Sequence, residues 1–216
     1  MTAFRIKIIS DNICPFCHLG RARLDRAIAQ FRETSPADTF DISWHAYHLD
    51  PNAPTTSEPV LEMVARKYGA ARTAAMQQRL RQAGASEGIN FTFAGRTGST
   101  RDSHRLIQLG RQRNAEDSVV REIMRMYFEE EGDITAEEDL VGAAERAGLD
   151  ADEARGWLRE GKGGKEVDRE VAEAYAMGVT GVPHFVINDR FEVHGAEDVP
   201  VFLEQFRRAK EADAAA

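Results

Sequence analysis

The chain is poor in cysteine and has no long hydrophobic run. Its 216 residues include only Cys14 and Cys17, which excludes a disulfide-rich secreted scaffold and a four-cysteine zinc site. No apolar segment approaches the ~20 residues that a membrane span needs. Residues 1–9 carry neither the apolar core nor the cleavage site of a signal peptide. We therefore expect a cytoplasmic protein without a membrane partner.

An excess of positive charge is also missing. Lys and Arg total 28 and Asp and Glu total 36, which gives a formal net charge of −8. Proteins that bind nucleic acids or anionic membranes depend on surplus basic residues, so we expect neither partner. Apolar residues make up 42% and charged residues 30%, as is typical of a globular chain long enough to bury its own core.

The first fifty residues predict a βαβ unit. Apolar and polar residues alternate in segments 4–9 and 40–46, as on half-buried strands. Between them, apolar residues recur at helical spacing after Pro15, a residue that suits the first turn of a helix. The helix must end before Ser35-Pro36. The cysteine pair therefore lies where the first strand passes into the helix.

A block of helices is predicted next. Apolar residues recur at helical spacing in segments 61–68, 70–82, 120–127 and 167–175. Thr135 with Glu138, and Asp150 with Glu153, have the spacing of a capping box at a helix start. Residues 90–93 form a candidate short strand. The apolar periodicity of this block predicts a helical subdomain of its own and excludes a linker.

Strand patterns return only after Gly178. Segments 184–187 and 190–193 flank a turn at Asn188-Asp189 and predict a hairpin. A final helix follows and ends in the alanine tail 214–216. The predicted fold class is therefore α/β, with a small mixed sheet built from the first and last parts of the chain.

The position of the two cysteines predicts thiol chemistry. Cys14 directly precedes Pro15 at a helix start, where free backbone N–H groups and the helix dipole favour an anion. Cys17 lies one turn further along the helix, close enough to bridge to Cys14. We expect Cys14 to attack a disulfide and Cys17, as the buried thiol, to resolve the mixed disulfide.

Three other interpretations fit the same pair. The segment from Cys14 to His18, CPFCH, matches the attachment pattern of c-type haem. Together with two distant histidines, the cysteines would complete a zinc site. In the third interpretation the two cysteines are inert residues of the hydrophobic core, although an exposed helix start is a poor place for core packing. We predict no metal site and no permanently bound cofactor.

A second motif lies far downstream. The segment 178–187, GVTGVPHFVI, places Pro183 immediately before a predicted strand. Together with the βαβ unit, its cysteine pair and the helical block, this segment resembles the DsbA-like branch of the thioredoxin superfamily. The resemblance is strongest to the FrnE-type proteins and covers residues 4–206.

Individual positions carry this resemblance. The family pattern of an Asp, two residues, Cys-Pro-Trp-Cys and a later Gly is matched by Asp11, the CPFC segment and Gly20. The chain departs from the pattern with Phe16 in place of Trp and His18 in place of Tyr. Further similar stretches are residues 44–51, 99–106 and 195–197.

The resemblance implies a thioredoxin fold, βαβ…ββα, with an all-helical insertion subdomain. Residues 1–53 and 170–216 would form the thioredoxin-like domain and residues 54–169 the insertion. It also implies that Pro183 is cis and packs against the cysteine pair, where the backbone of Val182 pairs with an extended substrate.

Nine residues are thereby predicted to form the site. Cys14 and Cys17 are the catalytic pair, and His18 and Asp11 are candidates to influence the protonation of the Cys14 thiol. The predicted substrate-binding residues are Pro15, Phe16, Val182, Pro183 and His184.

The implied function is a thiol–disulfide oxidoreductase that reduces, forms or isomerises disulfides of a protein or a small molecule, with glutathione as a candidate co-substrate.

The alternative is a glutathione-dependent isomerase or transferase. Kappa-class glutathione transferases and 2-hydroxychromene-2-carboxylate isomerases share the helical insertion, but they have Ser where this chain has Cys14. A third class is a non-enzymatic metal-binding or partner-binding module. The sequence leaves the direction of electron flow open, and a homodimer is one of the oligomeric states it allows.

Overall fold

The computed structural model describes residues 1–214, so alanines 215 and 216 of the predicted tail lie outside the described residues. The strands are β1 (Ala3–Ser10), β2 (Thr39–Ala46), β3 (Glu58–Pro59), β4 (Arg96–Thr97), β5 (His184–Ile187) and β6 (Phe191–His194). The helices are α1 (Pro15–Thr34), α2 (Val60–Tyr68), α3 (Ala70–Ser86), α4 (Arg101–Gln112), α5 (Glu116–Glu129), α6 (Glu137–Arg146), α7 (Ala151–Arg159), α8 (Gly164–Ala176) and α9 (Val199–Ala214).

A four-stranded mixed sheet forms the centre of the molecule, in the order β2-β1-β5-β6. Strand β1 pairs in parallel with β2 and antiparallel with β5, and β5 and β6 form an antiparallel hairpin. Its turn residues Asn188 and Asp189 have positive φ angles of 51° and 56°, which these two residue types tolerate well. The predicted βαβ…ββα fold is confirmed.

One face of the sheet carries an aromatic core. Phe4, in β1, is fully buried and stacks on Phe40 of β2 with ring centroids 4.8 Å apart. Phe31 of α1 and Phe206 of α9 meet Phe4 at 5.6 Å and 5.3 Å. These contacts fix α1, and with it the cysteine pair, against β1, because aromatic pairs contribute about 0.5–1.5 kcal/mol beyond the area that they bury.

The insertion is helical, as predicted, apart from a short ladder between β3 and β4. The strand predicted at residues 90–93 is absent. Phe91 is instead buried in the core, and Phe93 has a positive φ of 62°, which a strand does not allow. The predicted boundary between residues 169 and 170 falls inside α8, and the division into two domains stays a prediction.

The two predicted helix starts differ in outcome. Asp150 caps α7, and its side chain accepts a hydrogen bond from the Glu153 N–H at 2.8 Å. The capping box predicted for Thr135 and Glu138 is wrong, because the N-cap of α6 is Ala136. The Thr135 hydroxyl donates to Asp133 instead, at 2.8 Å. Within residues 1–214, no helix combines the length and apolar character required to cross a membrane.

Candidate active site

Cys14 is the N-cap residue of α1, and Pro15 begins the helix. The Cys14 N–H donates to the Asp11 carbonyl at 3.0 Å, which holds the turn between β1 and α1 closed. The Cys17 N–H donates back to the Cys14 carbonyl at 2.9 Å. The two thiols therefore lie within the first turn of one helix, as the spacing predicts.

Both thiols are buried. Cys17 has no exposed surface, and Cys14, for which the sequence indicated an exposed position, is only 4% exposed. Burial raises the pKa of the Cys17 thiol well above its ordinary value, and the neighbouring Cys14 raises it further. Cys17 is therefore a neutral thiol in the resting reduced protein.

The burial of Cys14 comes from the turn before β5. The Val182–Pro183 peptide bond is cis, as the resemblance implied. The Cys14 thiol donates a hydrogen bond to the Val182 carbonyl at 3.4 Å. Pro183 also reaches α1, since a Cβ added to Gly20 would lie 3.0 Å from the Pro183 Cγ. A turn 168 residues further along the chain thus forms one wall of the site.

A groove of about 490 Å³ runs along this turn, lined by residues 177–184 with Glu192, His194 and Gly195. The structure thereby places Val182, Pro183 and His184 together on one surface. The predicted contacts Pro15 and Phe16 are not among the residues that line it, although the Phe16 side chain is 46% exposed at the start of α1. The substrate-binding roles of all five residues stay predictions.

His18 is turned toward the insertion. Its Nε2 lies 3.1 Å from Glu129 Oε1, and its ring stacks on Phe128 with centroids 5.6 Å apart. The contact with His18 lowers the pKa of the Glu129 carboxyl. His18 thus joins α1 to α5, and this engagement argues against its being the axial ligand of a haem. Its predicted influence on Cys14 remains untested.

Asp11 belongs to a buried polar cluster behind the cysteines. Its Oδ2 accepts a hydrogen bond from the Leu49 N–H at 2.8 Å, and its Oδ1 lies 3.5 Å from His104 Nε2. The His48 ring lies 5.7 Å from His104, and burial, followed by the charge of His104, lowers the pKa of His48. The sequence does not indicate that His104 lies beside Asp11, because only the tertiary fold brings α4 to this turn.

The sequence also missed a grouping on the hairpin. His184, Glu192 and His194 place one ligand atom each within 4.8 Å of one another. Burial, followed by the charge of His194, lowers the pKa of His184. By contrast, no histidine or carboxylate of residues 1–214 joins Cys14 and Cys17 to complete a metal-ligand set of three. The zinc interpretation of the cysteine pair therefore has no support from the geometry.

Solved structures with this architecture include several oxidoreductases. A probable DsbA oxidoreductase from Streptomyces coelicolor is 32% identical, with a TM-score of 0.87 over 96% of this chain and 90% of that one. A 2-hydroxychromene-2-carboxylate isomerase is 15% identical, with a TM-score of 0.67 over 98% of both chains. The cytosolic disulfide reductase DsbM from Pseudomonas aeruginosa, determined with GSH, is 15% identical, with a TM-score of 0.59 over 98% of this chain and all of that one. The last two likenesses show the fold alone.

A family model described as a DSBA-like thioredoxin domain matches residues 5–207. The match includes both cysteines, the whole helical insertion and the cis-proline turn. It agrees with the resemblance that the sequence motifs indicated. The chain belongs to the DSBA-like thioredoxin domain family.

Proposed function

We propose that the protein is a thiol–disulfide oxidoreductase in which Cys14 attacks and Cys17 resolves. The observation that carries the proposal is the contact between Cys14 and the cis-proline turn, with Sγ 3.4 Å from the Val182 carbonyl. Cys14 contacts Val182, which lines the groove, while Cys17 is fully enclosed. This asymmetry supports different roles for the two thiols, because the attacking thiolate must reach the substrate and the resolving one must reach only Cys14.

The first step forms a mixed disulfide. The Cys14 thiolate donates an electron pair to one sulfur of the substrate disulfide, the substrate S–S bond breaks, and the other sulfur leaves as a thiolate that takes up a proton. Once bonded to substrate, Cys14 no longer donates to the Val182 carbonyl. That carbonyl is then free to accept a hydrogen bond from the backbone of an extended substrate, as in strand addition.

The second step resolves the mixed disulfide. Cys17 loses its proton and attacks Cys14 Sγ, the bond to substrate breaks, and the second substrate sulfur leaves as a thiolate. The substrate has then gained two electrons and two protons, and the protein holds a Cys14–Cys17 disulfide. Because burial raises the pKa of Cys17, its deprotonation is the demanding part of this step.

The surroundings of Cys14 support a polypeptide substrate. Eight consecutive residues, 177–184, line the groove, and such a continuous segment suits an extended chain. Met177 in that lining is 62% exposed, and Phe16 at the start of α1 is 46% exposed. Such apolar side chains favour unfolded segments that carry exposed apolar residues.

Glutathione is the proposed source of reducing equivalents, in the cytoplasm. Two glutathione molecules return the Cys14–Cys17 disulfide to two thiols and form one glutathione disulfide, which balances the cycle. The proposal takes support from the shared fold with DsbM, a cytosolic reductase whose structure was determined with GSH. Trapping the thiols of living cells with a maleimide would report the fraction of reduced Cys14 and Cys17, which the proposal expects to be high.

The alternative is a glutathione-dependent isomerase or transferase that acts on a small molecule. It takes support from the fold shared with a 2-hydroxychromene-2-carboxylate isomerase. Such a reaction needs no second thiol, whereas this chain keeps Cys17 buried within one helical turn of Cys14. The paired thiols favour disulfide exchange.

Reduction of insulin by glutathione tests the proposal. Cys14→Ser should abolish catalysis, because the attacking sulfur is lost. Cys17→Ser should accumulate a mixed disulfide on Cys14, seen as a mass increase on intact protein and removed by dithiothreitol. Thermal unfolding of both variants checks that each is folded. Catalysis that persists in Cys14→Ser would contradict the mechanism, and turnover of a small molecule that persists in Cys17→Ser would favour the alternative.

A further inference from the structure

One face of the β5–β6 hairpin carries three side chains that fit a metal ion, one of them buried and two exposed. His184 and His194 are directly opposite each other in the antiparallel register, so their side chains project from the same face of the sheet. Their ring centroids lie 4.5 Å apart. Glu192 precedes His194 by two residues on β6 and therefore shares that face.

The distances among the ligand atoms match a small coordination sphere. Glu192 Oε2 lies 3.5 Å from His184 Nε2 and 3.2 Å from His194 Nε2. Two ligands that each bind zinc at about 2.0–2.1 Å in tetrahedral geometry lie about 3.3 Å from each other. Both measured distances fall close to that value, and all three ligand atoms lie within 4.8 Å of one another.

A second observation on His184 points the same way. The residue is 7% exposed, and among the described residues its Nε2 has no hydrogen-bond partner. A buried imidazole nitrogen without a partner loses its hydrogen bond to water without compensation. This nitrogen lies 3.5 Å from Glu192 Oε2 and within 4.8 Å of the ligand atom of His194, so a metal ion bound between the three residues would satisfy it.

We propose that His184, Glu192 and His194 form a binding site for a divalent transition-metal ion, with Zn²⁺ as the best-fitting class. Two imidazoles and one carboxylate are the protein ligands of open zinc sites, which keep a fourth position for a small ligand. Binding of Mg²⁺ or Ca²⁺ is disfavoured, because these hard cations prefer a coordination sphere made only of oxygen ligands. The formal net charge of −8 favours cation binding in general.

The location of the three ligands determines which molecule could bind the ion as a fourth ligand. All three residues line the same groove as the Val182–Pro183 turn. The fourth position of the ion therefore faces the space that a thiol-bearing substrate would occupy, and a thiolate is a preferred zinc ligand. This last step rests on the proposed function, whereas the metal site itself does not.

Zinc binding to the oxidised protein is the direct test. The Cys14–Cys17 disulfide removes both thiolates as competing ligands, so isothermal titration with Zn²⁺ reports on the hairpin alone. We expect one ion per chain. His194→Ala and Glu192→Gln each remove one ligand at the surface and should weaken binding at least tenfold.

His45→Ala is the matched control, because His45 lies on β2, the opposite edge of the same sheet, and should leave the affinity unchanged. The titration needs no catalytic activity, so its outcome is independent of the insulin assay. An oxidised protein that binds no Zn²⁺, or that binds it equally well with His194→Ala, would overturn the site.

Discussion

Cys17 is enclosed on all sides, and its chemistry depends on that enclosure. Burial raises the pKa of its thiol well above the ordinary value, with a further contribution from Cys14. A thiol in this environment reacts slowly with reagents from solution, since the thiolate is the nucleophile. The same enclosure leaves only Cys14 within its reach, so the residue can resolve a mixed disulfide without attacking other substrates.

The burial of Cys17 predicts slow alkylation of its thiol. In Cys14→Ser, where Cys17 is the single thiol, reaction with iodoacetamide at pH 8 should be at least about tenfold slower than for the same variant in urea. Intact mass measured over time gives both rates. Equal rates in the folded and unfolded variant would mean that Cys17 is reached from solvent and would contradict the burial argument.

At the level of residues, the sequence predicted the cysteine pair and the cis-proline but not their surroundings. The i,i+3 spacing and Pro15 suffice to place two thiols on the first turn of a helix. The contact of Asp11 with His104 joins two segments that are far apart in the chain. No local pattern carries such a pair, because it depends on how helices and strands pack.

At the level of elements, α1 packs closely against the cis-proline turn because Gly20 has no side chain there. A Cβ at Gly20 would lie 3.0 Å from Pro183 Cγ and 3.1 Å from Phe185 Cζ. Contacts this short force the neighbouring atoms to move. Since Gly20 lies in the second turn of the helix that carries both cysteines, its lack of a side chain sets the distance between the cysteine pair and the turn.

Gly20→Ala should therefore impair the enzyme. Overpacking costs about 1–3 kcal/mol, and the gain in helix propensity offsets up to about 1 kcal/mol of that. We expect a net loss of about 1 kcal/mol in the free energy of unfolding and a severalfold loss of insulin reduction, because Pro183 moves relative to Cys14. Denaturant unfolding and the insulin assay measure the two effects.

Gly156→Ala is the matched control. Gly156 lies within α7, and nothing is found within 4 Å of a Cβ added there. This variant should gain about 0.5–1 kcal/mol from helix propensity alone and keep full activity. If Gly20→Ala gained stability to the same extent, the close packing of α1 on the turn would not be a constraint.

Element boundaries followed the sequence where a single local rule decided them. Pro15 begins α1, and Asp150 caps α7, as predicted. The prediction failed at residues 90–93, where alternating aromatic residues indicated a strand. Tertiary packing decided there, since Phe91 is needed in the core and the Thr92 N–H donates to the Phe128 carbonyl of α5 at 2.9 Å.

At the level of the whole molecule, charged side chains join the insertion to the sheet. Asp117 of α5 accepts hydrogen bonds from Arg21 of α1 at 2.9 Å and from the Trp44 indole of β2 at 3.0 Å. Arg121 of α5 donates to the same carboxylate at 2.8 Å. Arg21 is 4% exposed, whereas the side chains of Asp117 and Arg121 are 35% and 46% exposed, so the network is only partly protected from solvent. It connects the helix of the cysteine pair to the insertion.

The network predicts how stability depends on pH. Burial opposes ionisation of Asp117, but the hydrogen bonds and charges of Arg21 and Arg121 outweigh it and lower the pKa to about 2. An unfolded Asp titrates near about 3.9. Because the folded pKa is the lower one, the contribution of Asp117 is present above pH ~4 and is lost as the pH falls through ~2.

Asp117→Asn should therefore cost more stability at neutral pH than in acid. The full shift corresponds to about 2.5 kcal/mol, but the Asp117 side chain is 35% exposed, so solvent screening reduces the expected contribution to about 1 kcal/mol. Denaturant unfolding of wild type and variant at pH 6 and pH 2.5 measures it.

Asp152→Asn is the matched control, since the Asp152 side chain is 96% exposed and its replacement should give no pH-dependent difference. A gap between wild type and Asp117→Asn that stays constant over this range would mean that hydrogen-bond geometry, and not ionisation, makes Asp117 important at the junction.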